Sequence, residues 1–276
     1  MRNGSARRTS WAIERTAEMY KGKRVVVVMP AYNAEQTLKT AYEEVKAQGV
    51  ADSVVVVDDC SKDRTEAIAR ELDVVYLRHE RNLGYGGNQK SCYALALGQG
   101  ADIVVMVHPD CQYTPKLLVP MVAMIAEGLH PCILASRILG GYARRGGMPW
   151  WKYVSNRFLT LVMNALFGSK VSEFHTGYRA FSAELIKRLP LERNMNDFAF
   201  DAQMLAEVLW TGATIGEVSC PTVYNDEASS ISFARSCKYG LGCLATALKF
   251  RLCRMHLWKS PLFAGGNITT PEERRS

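Results

Sequence analysis

Two uninterrupted runs of β-branched residues mark the first quarter of the chain, Val25-Val26-Val27-Val28-Met29 and Val54-Val55-Val56-Val57. Neither run alternates with polar residues, so neither has a solvent face. Both read as strands covered on both sides, as in a parallel sheet with helices above and below. Between them, Leu38, Ala41, Tyr42 and Val45 fall at helical spacing within residues 35–48. The alternation continues with a helix over Thr65–Leu72, a strand over Val74–Leu77, a glycine turn over Gly84–Gly87, a small-residue helix over Asn88–Leu97 and a strand over Ile103–Val107. Strand and helix recur at roughly 30-residue spacing, which predicts an α/β fold with a mostly parallel, doubly wound sheet.

The second half is less regular. Ile133–Ser136 and Thr214–Val218 read as strands, and Trp150–Phe167, Phe200–Trp210 and Tyr239–Trp258 as helices. Residues 138–149 form a Gly/Arg loop. The expected organisation is a polar leader over 1–23 with one helix at Trp11–Tyr20, an α/β domain over 24–235, a basic amphipathic helix over 236–258 and a disordered charged tail over 259–276.

Composition narrows the function classes. A chain of 276 residues with 48% hydrophobic and 22% charged content is globular and long enough for a sizeable core. The net charge of +7 favours anionic partners: phosphates or a membrane surface. No nucleic-acid module is recognisable among the basic residues, so nucleic acid is not an expected partner. Eight cysteines without a C-x-x-C pair read as reduced thiols in a reducing cytosol, which argues against a zinc site or a disulfide framework. The N-terminus lacks the apolar core of a signal peptide, and no stretch approaches the ~18 apolar residues of a spanning helix. The expectation is a cytoplasmic protein, peripheral at the inner face of the cell membrane. Trp150-Trp151-Lys152-Tyr153 and the stripe Leu241, Leu244, Leu248, Leu252, Met255, bordered by Lys249, Arg251 and Arg254, fit helices lying in the headgroup plane. Packing on the sheet or on a second subunit would fit them equally.

Candidate chemistry gathers at strand ends, where parallel sheets bind ligands. The first strand runs into Pro30-Ala31-Tyr32-Asn33 and the second into Asp58-Asp59-Cys60-Ser61. A Tyr ring can stack on a base, and a carboxylate can accept from base or ribose. Arg81-Asn82-Leu83-Gly84-Tyr85-Gly86-Gly87 reads either as a phosphate-binding turn or as close helix packing. The strand at 103–107 ends in His108-Pro109-Asp110-Cys111-Gln112. Asp110 and Gln112 suit Mg2+ or Mn2+ bridging a diphosphate, which takes one or two carboxylates and fills its remaining positions with phosphate and water.

Taken in order, Pro30-Ala31-Tyr32-Asn33, Val57-Asp58-Asp59-Cys60-Ser61-x-Asp63-x-Thr65, Arg81-Asn82-x-Gly84 and Asp110-x-Gln112 resemble the motif series of family 2 glycosyltransferases of the GT-A fold, most of all the dolichyl- and polyprenyl-phosphate sugar (mannosyl) transferases. The resemblance covers residues 24 to about 235. It implies an inverting, metal-dependent transferase that moves a sugar from a nucleotide-diphospho-sugar, such as GDP-mannose or a UDP-hexose, to a polyprenyl or dolichyl phosphate. By the same resemblance Pro30, Tyr32, Val57, Asp58 and Asp59 are nucleotide-side positions, with Asp59 the direct contact and Asp58 shaping the loop. Asp110 and Gln112 are metal and diphosphate ligands, and Arg137, after Ser136, meets a donor or acceptor phosphate. Ser155 and Asn156 lie on the acceptor side, and Thr176-Gly177-Tyr178-Arg179 matches a further family segment. Ser230 and Arg235 belong to a late loop that closes on the donor. Two departures stand out. His108 replaces the first Asp of Asp-x-Asp-x-Gln, which makes it a further metal-ligand candidate, and Ala34-Glu35 shifts a Glu by one place. The alternatives are a hydroxyl acceptor, which needs a general base from Asp197, Asp201 or Glu173, and a non-catalytic nucleotide-sugar-binding domain.

Overall fold

The computed structural model describes residues 19–222 and 233–263. The chain forms β1 (Val25–Ala31), α1 (Leu38–Ala47), β2 (Ser53–Asp58), α2 (Thr65–Glu71), β3 (Val75–Arg78), α3 (Tyr85–Gly98), β4 (Ile103–Met106), α4 (Leu118–Ala126), β5 (Cys132–Ser136), α5 (Tyr142–Arg145), α6 (Trp150–Phe167), β6 (Arg179–Ser182), α7 (Ala183–Arg188), α8 (Phe200–Trp210), β7 (Ile215–Ser219) and α9 (Phe233–Arg254). The seven strands form one sheet in the order β3-β2-β1-β4-β6-β5-β7. All neighbours run parallel except β6, which is antiparallel to both β4 and β5.

The valine runs behave as their pattern requires. Val26, Val28, Val55, Val57, Val104 and Met106 point to one core, shared with α3, α6, α8 and α9. Val25, Val27, Met29, Val54, Val56 and Val105 point to the other, beneath α1 and α4. A strand covered on both faces has no position left for a polar residue. The parallel β1–β2 register sets Ala31 opposite Asp58, so the two strand ends open at one edge of the sheet.

One reading of the termini changes, at the start of the tail. Of the leader and its expected helix, residues 1–18 lie outside the described residues, and Tyr20 bridges to Lys23 in a tight turn. The segment read as a disordered tail from 259 is packed at its start: Pro261–Phe263 makes a helical turn that buries Leu262 and Phe263. The Phe263 ring lies 4.9 Å from Trp210 and 5.5 Å from Phe250. Two large apolar side chains outweigh the polar composition around them. Residues 264–276 lie outside the described residues, as does Ser230 in the late loop. Arg235 sits in the first turn of α9, with its side chain outside the description.

Candidate active site

The adjacent aspartates at the end of β2 are both buried and both occupied. Asp58 accepts from the Ser61 amide at 2.8 Å, from the Tyr76 hydroxyl at 3.0 Å and from Arg78 Nη1 at 2.9 Å. It therefore shapes its loop. Burial and that carboxylate together push the Tyr76 phenol up to about 12. Asp59 accepts from the amides of Leu83 at 2.7 Å and Gly84 at 2.9 Å, and from His79 Nδ1 at 2.8 Å. Both its oxygens are spent on the loop that starts α3. The carboxylate expected to contact a nucleotide directly holds this loop here. Asn88 reinforces the same corner by donating to the carbonyls of Val57 at 3.1 Å and Ala31 at 3.3 Å. Pro30 is partly buried beside this corner, and Tyr32 projects half-exposed from it. His79 and Asn88 were not singled out from the sequence, although His79 follows the end of β3 and the strand-end rule points to it.

The glycines of the Gly84–Gly87 turn serve packing. A Cβ on Gly86 would lie 2.5 Å from the Met195 carbonyl and 2.7 Å from Phe200 Cβ, and Gly84 adopts φ +84°. α3 consequently starts at Tyr85, earlier than the sequence pattern suggests, pressed against the segment that leads into α8.

At the end of β4, Asp110 accepts from the Gln112 amide at 3.0 Å in a local turn that puts Cys111 at φ +54°. His108 stacks on Tyr85 with ring centroids 5.6 Å apart, and its Nε2 lies 3.2 Å from the Tyr85 hydroxyl. That hydroxyl donates its single hydrogen to Asp201 Oδ2 at 2.9 Å. The carboxylate can only accept, so toward Tyr85 it is His108 Nε2–H that donates, and Nδ1 keeps the lone pair. Burial lowers the His108 pKa, while Asp110 and Asp201 oppose the shift. Gly177 makes room for the ring, since a Cβ there would sit 2.7 Å from His108 Cδ2.

Two buried ion pairs lie beneath this surface. Glu173, fully buried, accepts from the Arg137 amide at 2.7 Å, from Arg137 Nε at 2.8 Å and from Asn156 Nδ2 at 2.8 Å. Arg137 Nη2 bonds both Glu173 and the His175 carbonyl. The Arg137 charge and these hydrogen bonds hold Glu173 below its ordinary range in spite of burial, which pulls the other way. Arg179, 1% exposed, pairs with Asp201 at 3.0 Å, and Gln89 donates to the same carboxylate oxygen at 3.0 Å. Asp197 accepts from the Ala199 amide at 2.9 Å and approaches Lys238 at 3.8 Å.

Of the three acids considered as a general base, two are buried counter-ions and the third is partly exposed. Glu173 is the counter-ion of Arg137, Asp201 the counter-ion of Arg179, and Asp197 caps the turn before α8. Of the acceptor-side pair, Asn156 is buried against Glu173, whereas Ser155 is exposed. Among the described residues, no three His, Cys, Asp or Glu side chains converge on a cation position.

A family model described as glycosyl transferase family 2 matches residues 26–189. The chain is 28% identical over 221 residues to a UDP-N-acetylglucosamine–dolichyl-phosphate N-acetylglucosaminyltransferase of Methanococcus voltae, covering 74% of this chain and 87% of that protein. It is 24% identical to the polyprenol monophosphomannose synthase of Mycolicibacterium smegmatis, covering 82% of this chain and 86% of that one. With the dolichyl-phosphate hexose transferase of Haloferax volcanii the identity is 26%, over 83% of this chain and 96% of the relative. Among solved structures, glucosyl-3-phosphoglycerate synthase from Mycobacterium tuberculosis with Mn2+, UDP and phosphoglyceric acid shares the fold. It has a TM-score of 0.63 at 20% identity over 87% of this chain and 81% of that one.

Proposed function

Because the chain belongs to glycosyl transferase family 2, we propose that it transfers a sugar from a nucleoside-diphosphate donor to a polyprenyl-type phosphate at the cytoplasmic face of a membrane, inverting the anomeric centre. The observation that carries the acceptor class is the engagement of Glu173 and Asp201 with the guanidinium groups of Arg137 and Arg179. A hydroxyl nucleophile needs a free base within reach; a phosphate is already ionised at neutral pH. The named substrates of the relatives in Methanococcus, Mycolicibacterium and Haloferax point the same way.

In this reading the base and ribose of the donor lie between Tyr32 and the Asp58-Asp59 loop, bordered by Pro30 and Val57. Asp59 acts through the Leu83 and Gly84 amides that it fixes. The side chains at the end of β4 fit a divalent cation. Asp110 gives a carboxylate, Gln112 an amide oxygen, and His108 the Nδ1 lone pair left by its bond to Tyr85. With one charged ligand from the protein, such a site would need the donor diphosphate as well, and the nitrogen would suit Mn2+ better than Mg2+. A cation held there would supply charge neutralisation for the departing diphosphate. The acceptor oxygen attacks the anomeric carbon as the bond from that carbon to the diphosphate oxygen breaks, and no proton need leave the nucleophile. Arg137, oriented by Glu173, places a fixed positive charge beside the phosphates before the reaction begins.

Melting curves with GDP-, UDP- and dTDP-sugars in Mn2+ test this reading. A donor at about 100 times its Kd stabilises by roughly 2.7 kcal/mol, and Asp110→Asn should abolish the metal-dependent part of the shift. Absence of stabilisation by every donor would contradict it. One observation favours a hydroxyl acceptor instead: the Asp197 carboxylate is partly exposed. Loss of turnover in Asp197→Asn with an unchanged melting temperature would support that second reading.

A further inference from the structure

We infer that the outer faces of α6 and α9 together form the surface on which this protein seats against an anionic lipid bilayer. The inference rests on the lipid-phosphate reading above and gives it a face and an orientation. Trp150, Val154, Phe158 and Leu161 form one stripe on α6, and Leu241, Leu248 and Met255 form another on α9; all are between 51% and 69% exposed. Leu257 and Trp258 prolong the second stripe past the helix end and are equally bare. Each helix already has its core face. α6 buries Thr160, Met163 and Phe167, and α9 buries Cys243, Ala247, Phe250 and Cys253. The exposed stripes are second apolar faces, on the far side of each helix from the core.

The two helices lie side by side and run in the same direction. Leu159 sits over Gly240, Phe167 stacks edge-on at 5.0 Å from Phe250, and Arg254 reaches the Phe167 carbonyl at 3.4 Å. The helices therefore adjoin, each with an exposed apolar stripe turned away from its core face, and exposed apolar residues gathered in this way mark an interaction site.

Charge chooses the occupant. Neither α6 nor residues 236–263 contains an Asp or Glu. α6 carries Lys152 and Arg157, and the later stretch carries Lys238, Lys249, Arg251, Arg254 and Lys259. An apolar strip fringed only by cations complements acyl chains beneath anionic headgroups. A second copy of the same face would bring positive charge against positive charge. No helix among the described residues is long and apolar enough to cross a membrane, so this seat would lie on the bilayer surface. The inner side of the same two helices reaches the reaction site. Asn156 of α6 holds Glu173, the partner of Arg137, and Tyr239 of α9 bonds His175 Nδ1 at 2.7 Å. The helices that carry the stripes thus also hold groups next to Arg137.

Vesicle sedimentation of the full chain tests the seat. The wild type should bind phosphatidylcholine/phosphatidylglycerol vesicles more tightly than pure phosphatidylcholine vesicles, with affinity falling as salt rises. The double variant Phe158→Glu/Leu161→Glu should lose at least tenfold in vesicle affinity at an unchanged melting temperature. Lys249→Glu/Arg251→Glu should lose only the increment given by the anionic lipid. Transfer to a short-chain, water-soluble isoprenyl phosphate separates the two readings. The Phe158→Glu/Leu161→Glu variant should retain it while losing transfer to acceptor embedded in vesicles. If the wild type binds vesicles but uses no isoprenyl phosphate, the functional reading fails and the seat stands. The seat is overturned if the wild type stays in the supernatant with both vesicle types or if the double variant binds like the wild type. It is also overturned if the stripe proves to hold a dimer that the variant dissociates.

Discussion

Glu173→Gln separates two roles for one buried acid. Glu173 has no exposed surface and receives three donors of Arg137 together with Asn156. The substitution keeps one acceptor oxygen, removes the charge and turns an amide NH2 toward a guanidinium. Breaking a buried pair from one side costs about 3–5 kcal/mol. Arg137 is 12% exposed and recovers some hydration, so about 3 kcal/mol is expected. For a chain of this size that corresponds to a melting temperature lower by roughly 6–12 °C. The pH dependence carries the sign. The folded-state pKa of Glu173 is depressed, so its stabilisation is complete above the ordinary carboxylate range and is lost as pH falls through the folded value. The gap between wild type and variant should therefore be wide at neutral pH and close in acid. Urea unfolding across the pH range measures it. A variant as stable as the wild type at neutral pH, with turnover down by the roughly 10²–10⁴ of a missing general base, would refute the counter-ion role.

Three further substitutions test other parts of the site. Asp59→Ala should destabilise by about 2–4 kcal/mol, because it strands the Leu83 and Gly84 amides; weaker donor binding at full stability would instead restore Asp59 as a direct contact. Glu207 is buried beneath Asn194 and its pKa is pushed up to about 8 by burial, so the folded protein loses stability as pH rises from the ordinary carboxylate range through 8. Glu207→Gln should match the wild type near pH 5 and exceed it at pH 8 in denaturant titrations. Gly177→Ala would press a methyl group to within 2.7 Å of the His108 ring, so Mn2+-dependent donor stabilisation should fall more than tenfold in affinity with little change in melting temperature.

The sheet was legible where burial was continuous. The valine runs announced β1 and β2, and the boundaries of α6 and α8 were read as they stand, because their apolar residues recur at helical spacing over three turns or more. β6 was not visible as a strand. It has four residues, and it begins with an arginine whose burial makes sense only once Asp201 stands beside it. The sequence pattern hides α4 for a local reason: Pro120 interrupts its apolar run, yet the residue falls in the first turn, where no backbone donor is required.

The site divides along the same line. The residue types at the strand ends showed that chemistry gathers there. The partners that decide each role come from distant segments, such as Tyr85 for His108, Arg137 for Glu173 and Arg179 for Asp201. Sequence spacing cannot tell a free carboxylate from one already neutralised. The glycine turn posed the same problem, and Met195 and Phe200, more than 100 residues on, settle it in favour of close packing.

The acceptor decides the central claim. The purified protein, its preferred nucleotide sugar and Mn2+ would be incubated in parallel with a polyprenyl phosphate and with the same polyprenol lacking the phosphate. Labelled sugar would be followed into the lipid phase. Transfer to the phosphate alone, giving an alkali-stable, acid-labile sugar phosphate of inverted anomeric configuration, is the predicted result. Transfer to the alcohol, or to neither lipid while a free saccharide is glycosylated, would contradict it.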